Sequence, residues 1–128
     1  MALSTILAVA LGGAIGAVGR FAVVSGIGRL VGTGWPWGTL TANVVGSIVM
    51  GIVIEVSALA WSPSPQLRAF IVVGVLGAFT TFSSFSLEVV ALLERGQPVP
   101  AALYVAASVV ICVLGVYLGM RGMRLVLA

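Results

Sequence analysis

Apolar residues fill this chain in four long blocks, separated by short runs of Gly, Pro, Trp and charged residues. A helix crossing the hydrocarbon core of a bilayer needs roughly 20 apolar residues. The blocks therefore predict four transmembrane spans, over 4–24, 39–60, 66–93 and 101–120. The third block is too long for one straight span. Its part up to Leu76 covers about 16 Å, and its part from Phe82 to Leu93 about 18 Å, at the rise of an α-helix. A break near 77–81, at mid-membrane, is predicted between them.

Polar positions inside the blocks carry the second signal. In Gly74–Glu88, Thr80, Thr81, Ser83, Ser84 and Ser86 interleave with Phe82 and Phe85. A segment built only to cross lipid would hold aliphatic residues there, and a polar cluster at midspan marks a functional site. Irregular backbone at that depth survives only where protein buries it or where it lines a wet cavity. The second span opens with Thr39, Thr41 and Asn43, and in the fourth Tyr104, Ser108 and Cys112 recur every four residues and so share a face.

The remaining features are more ordinary. Gly12 and Gly16 fit close helix packing. Arg20 falls near the far interface of the first span, where its stem can reach the headgroups. Arg29 is placed in the following loop, and Trp35-Pro36-Trp37 suits the headgroup belt. Glu55 lies near the end of the second span and reads as a boundary residue.

Composition narrows the classes. The chain has 128 residues, 61% hydrophobic and 7% charged, against about 25% charged in a typical soluble domain. It has no His, and its lone cysteine excludes an intrachain disulfide and any Cys/His metal cluster. Soluble zinc, haem or nucleotide enzymology is excluded, and the six Arg are too scattered for a nucleic-acid surface. The apolar N-terminus lacks a positive lead and reads as a retained span. With four spans, Arg68, Arg121 and Arg124 fall on one side, and Arg29 and Arg95 on the other, with Arg20 near that boundary. So weak a bias permits insertion both ways, and two opposed copies would build an inverted repeat from one chain.

A path for a small hydrated anion needs donors that replace water. Hydroxyls and an Asn amide donate without adding charge, and aromatic edges present the positive rim of the ring quadrupole. A basic side chain at midspan would hold the ion too firmly, because conduction needs weak, sequential sites. Ser83 and Ser84 belong to this hydroxyl set. A broken helix also frees carbonyls able to hold a hard cation such as Na⁺.

The stretches GWPWGTLTANVVGS and GVLGAFTTFSSFSLE, with the Tyr104/Ser108 spacing, resemble the Fluc (CrcB) fluoride channel family over nearly the whole chain. The resemblance implies a passive fluoride channel of the prokaryotic inner membrane, built as an antiparallel, dual-topology homodimer with two fluoride pathways and a central Na⁺. By it, Phe82 and Phe85 would face fluoride and Asn43 would position them. The carbonyls of Gly77 and Thr80 would hold Na⁺. Tyr104 and Ser108 would begin a hydroxyl track, and Thr39, Arg20 and Glu88 would form its entrance. Two departures stand out: Cys112 occupies a track position where a hydroxyl is expected, and Phe79 is bulkier than the expected aliphatic residue. A small dual-topology multidrug exporter or a non-conducting scaffold subunit are the competing readings.

Overall fold

Inside lipid no water satisfies backbone N–H and C=O groups, so apolar blocks close their hydrogen bonds along their own chain as helices. The computed structural model describes residues 1–128 and contains helices and no strands. Helix α1 is Leu3–Val31 and α2 is Trp37–Leu59. The third span, Pro65–Glu94, is composite. It runs through α3 (Pro65–Arg68), a π-helical stretch (Ala69–Leu76), α4 (Gly77–Phe79) and, after a gap, α5 (Phe82–Glu94). Helix α6 is Pro98–Leu127. All four spans are long and apolar enough to cross a membrane.

The outer spans are longer than the hydropathy blocks predicted. Helix α1 continues about two turns past Val24, because Gly26 and Gly28 weaken a helix without ending it. It stops at Gly32, whose φ of +86° belongs to the left-handed region. Arg29 is thus helical, and Arg20 lies well inside α1 and not at its end. Helix α6 begins at Pro98, since proline lacks only an N–H that the first turn leaves free anyway. It carries Arg121 and Arg124 inside its last turns. The break is shorter than 77–81, because Gly77 to Phe79 stay helical and only Thr80 and Thr81 are extended.

Two glycine seams hold the spans together. Along the first, Gly12 and Gly16 of α1 are buried against the π-helical stretch. A methyl group on Gly12 would run into the Phe70 carbonyl oxygen, and one on Gly16 into that of Val75. Along the second, Gly51 of α2 faces the Val116 carbonyl, and Gly119 of α6 faces that of Ile48. Backbone approach of this kind is the usual basis of helix association in lipid, where apolar burial gives no drive.

Many large apolar side chains point outward, among them Leu7, Leu11 and Val18 on α1 and Leu114 and Leu118 on α6. The buried apolar cluster is small and lies at one end, where Leu40, Phe85, Leu92, Ala101 and Tyr104 meet with Trp35 packed on them. At the other end Glu55 is only 4% exposed and accepts from Arg124 Nε at 2.7 Å. Glu55 is therefore buried and paired near the end of its span, a partnership the boundary reading did not include. The ion pair ties the ends of α2 and α6 and lies outside the hydroxyl cluster.

Candidate functional site

The interruption at Thr80–Thr81 is built from named groups. Thr81 has φ −154° and ψ 122°, and its Oγ1 accepts from Ser84 N at 3.1 Å, which caps α5. Asn43 of α2 grips the same residue from the side. Its Oδ1 accepts from Thr81 N at 2.7 Å, and its Nδ2 donates to the Thr81 carbonyl at 3.0 Å. The amide that would close a helical turn onto Gly77 is thus spent on Asn43. The amide that would close onto Thr80 is spent on the Thr81 hydroxyl. No backbone N–H reaches the carbonyl of Thr80, and neither Thr80 N nor Thr81 N reaches that of Gly77. These two carbonyls are the ones the family resemblance implies for Na⁺. Neutral carbonyl oxygens without donors suit a hard cation, so the residues present fit that ion.

Glycine makes room for the turn. A methyl group on Gly46 would run into Thr80 Cγ2 and stand 3.2 Å from Phe79 Cδ2, and one on Gly19 would stand 3.5 Å from Phe79 Cδ1. The bulk of Phe79 is accommodated between these two glycines.

A groove of about 350 Å³ opens beside the break. Asn43, Thr80, Thr81, Phe82, Phe85, Ser108 and Cys112 all line it. The rings of Phe82 and Phe85 have centroids 5.4 Å apart at 44°, as their spacing on one helical face predicts. Phe85 is buried against Tyr104, with centroids 5.0 Å apart, whereas Phe82 is 76% exposed. Ser108 is 7% exposed, and its Oγ is buried with no hydrogen-bond partner. A buried hydroxyl left unpaired is costly, and this one belongs to a residue that lines the groove. No arginine and no carboxylate lines it.

A second groove, about 440 Å³, lies between α1 and α5 and holds Arg20, Thr39, Thr81, Ser84 and Glu88. Arg20 Nη1 donates to Ser84 Oγ at 3.1 Å. Glu88 accepts from Thr39 Oγ1 at 3.1 Å and from the Tyr104 hydroxyl at 3.3 Å. Thr81 is the one residue that lines both grooves. The predicted residues therefore divide in two. Phe82, Phe85, Asn43, Ser108 and Cys112 share the uncharged groove, and Arg20, Thr39, Ser84 and Glu88 share the charged one. Tyr104 is fully buried between them. Ser83 joins neither lining; it is exposed and touches Thr81 Oγ1 at 3.4 Å.

Two residues noted in the sequence have roles that the sequence reading did not assign. Thr81 works as cap, clamp target and shared wall; a Thr just before a helix start is an N-cap signal. Trp35 turns toward the protein interior and is partly buried. Its Nε1 donates to the Pro100 carbonyl at 3.1 Å, and its ring meets Tyr104 edge-on at 5.3 Å. Of Trp35 and Trp37, Trp37 is the more exposed.

The family described as CrcB-like protein, Camphor Resistance (CrcB), matches residues 7–120. A protein of Rhodospirillum centenum named fluoride-specific ion channel FluC is 52% identical over 96% of this chain and 98% of its own length. The protein of that name from Nitrobacter winogradskyi is 46% identical over 94% of this chain and 96% of its own. The one from Geobacter sulfurreducens is 42% identical over 95% and 98%.

Proposed function

The chain belongs to the CrcB-like family, and from that premise we propose that it is a passive, fluoride-selective channel of a prokaryotic plasma membrane. It is a multi-pass membrane protein and not an enzyme. The observation that carries the reading is the buried, unpartnered hydroxyl of Ser108, on a residue that lines a groove with two phenylalanine rings and no fixed charge. Fluoride is small and strongly hydrated, so a wall must supply donors in place of water. Ser108 and the Thr81 hydroxyl are such donors, the Thr80 hydroxyl being spent on the Leu76 carbonyl, and the rims of Phe82 and Phe85 add weak positive potential.

Arg20 raises the local anion concentration in the charged groove. Passage past Thr81 then takes fluoride into the uncharged groove, where nothing binds it tightly enough to stop it. In acidified surroundings HF crosses the bilayer and dissociates in the less acidic cytoplasm. Passive exit down the electrochemical gradient then removes the trapped ion.

The channel is an antiparallel homodimer with a pathway in each half. Phe82 and Gly77 are exposed on the single chain, and the weak arginine bias permits both orientations. The freed carbonyls of Gly77 and Thr80 would hold a structural Na⁺, which supplies fixed positive charge without a basic side chain. The break then lies at mid-membrane, where irregular backbone needs such partners.

Efflux from proteoliposomes tests the reading against its competitors. Purified protein should release fluoride with no proton gradient and retain chloride. Release that requires a proton gradient would mark an exporter, and no release a scaffold. Labelling of both termini from each side of the vesicle should reach every terminus from both sides; a single orientation would overturn the dimer proposed.

A further inference from the structure

We propose that the uncharged groove is also a site for a soft monovalent metal ion, cuprous or silver, which shuts the pathway when it binds. The inference rests on the pathway assignment for its effect on flux, and on the groove alone for binding. Cys112 of α6 is the chain's one thiol and lines this groove, only partly buried. Met50 of α2, whose flexible side chain carries a thioether, lines the same groove. Thiol and thioether sulfurs are the donors that select monovalent copper and its congeners over Na⁺, Mg²⁺ or Ca²⁺. Met50 also adapts its shape easily, having three rotatable bonds and a polarizable sulfur.

The third element is the oxygen already described. Ser108 stands one helical turn before Cys112 on the same face of α6, and its Oγ has no partner within the chain. The groove thus offers a thiol, a thioether and an unpaired hydroxyl, drawn from two helices that pack along a glycine seam. Nothing else lining it competes for a soft cation, since no carboxylate or arginine is present.

Binding is a ligand exchange. The S–H bond of Cys112 breaks, a sulfur–metal bond forms, and the proton leaves to water. The thiolate–cation pair is neutral, so it brings no charge that would draw fluoride onward. Its bulk occupies the space beside Ser108, and it replaces a weak site with an obstruction.

Silver is the practical probe, used as its nitrate in chloride-free buffer, because silver fluoride stays soluble. Fluoride efflux is recorded with and without micromolar silver, each variant being normalised to its own silver-free rate. Wild-type efflux should fall at least about tenfold, as for loss of one weak site worth about 1.4 kcal/mol. Cys112→Ser should resist silver, and Met50→Leu should need more silver for the same block. Retained metal, measured on the purified protein after desalting, gives a readout without transport: about one silver per wild-type chain and none in Cys112→Ser. Silver retained by Cys112→Ser as by wild type, or bound by wild type without change in efflux, would overturn the proposal. A wild-type chain that binds silver but never releases fluoride would sink the channel reading instead.

Discussion

Phe82→Ile and Phe85→Ile should each lower passive fluoride efflux by roughly tenfold or more, with the dimer still assembling. An aromatic contact with the right geometry is worth about 0.5–1.5 kcal/mol beyond burial, and 1.4 kcal/mol corresponds to about a tenfold change. Isoleucine keeps an apolar volume but has no positive rim to offer an anion. The two positions separate function from folding. Phe82 is 76% exposed on the single chain, so its replacement should leave the fold of that chain nearly unchanged. Phe85 packs on Tyr104 and belongs to the buried cluster, so its replacement should also lower the melting temperature in detergent. A loss of efflux shared by both, against a loss of stability in one, would locate the effect in the rings. Wild-type efflux in both variants would remove the ring-edge argument.

Asn43→Ala should be at least as damaging, through the backbone. It removes both hydrogen bonds to Thr81 and leaves that residue's N–H and carbonyl without their partners. Each polar group left unsatisfied costs about 1–3 kcal/mol. The chain can recover part of this by returning the Thr81 amide to the Gly77 carbonyl, which extends α4 through the break. That would close the Gly77 carbonyl proposed for Na⁺ and move Phe82 and Phe85 off the groove. Efflux should therefore fall below about a tenth of wild type, and the Thr81 amide should change its hydrogen-exchange rate. Asn43→Asp keeps the acceptor for Thr81 N–H but sets a carboxylate oxygen against the Thr81 carbonyl in the uncharged groove, so it should not rescue transport. Normal efflux from Asn43→Ala would mean the interruption stands without its clamp.

Much of this was readable from residue order. The four spans followed from hydropathy, and the interruption from a block too long to be straight and too polar at its centre. The shared face of Tyr104, Ser108 and Cys112 followed from their spacing. What the order could not give was partnership across the fold. Glu55 reads as a boundary residue, and only the fold sets Arg124, far along the chain, beside it. Trp35 reads as a headgroup anchor because Trp-Pro-Trp usually is one; its bond to Pro100 depends on where α6 begins. Hydropathy also misjudged the ends of α1 and α6. Glycine and arginine lower the apolar average without ending a helix, and Pro98 starts one. The split of the polar residues into an uncharged and a charged groove follows from the side of α5 each faces, and no local pattern encodes that.

The central claim is that fluoride crosses through neutral donors beside the helix interruption, and current through the purified protein tests it most directly. In a planar bilayer with a tenfold fluoride gradient and equal chloride and pH on both sides, the current should reverse at the fluoride equilibrium potential, about 59 mV from zero for a single charge. Reversal at zero, reversal that follows an imposed chloride or proton gradient, or no current at all would contradict the account.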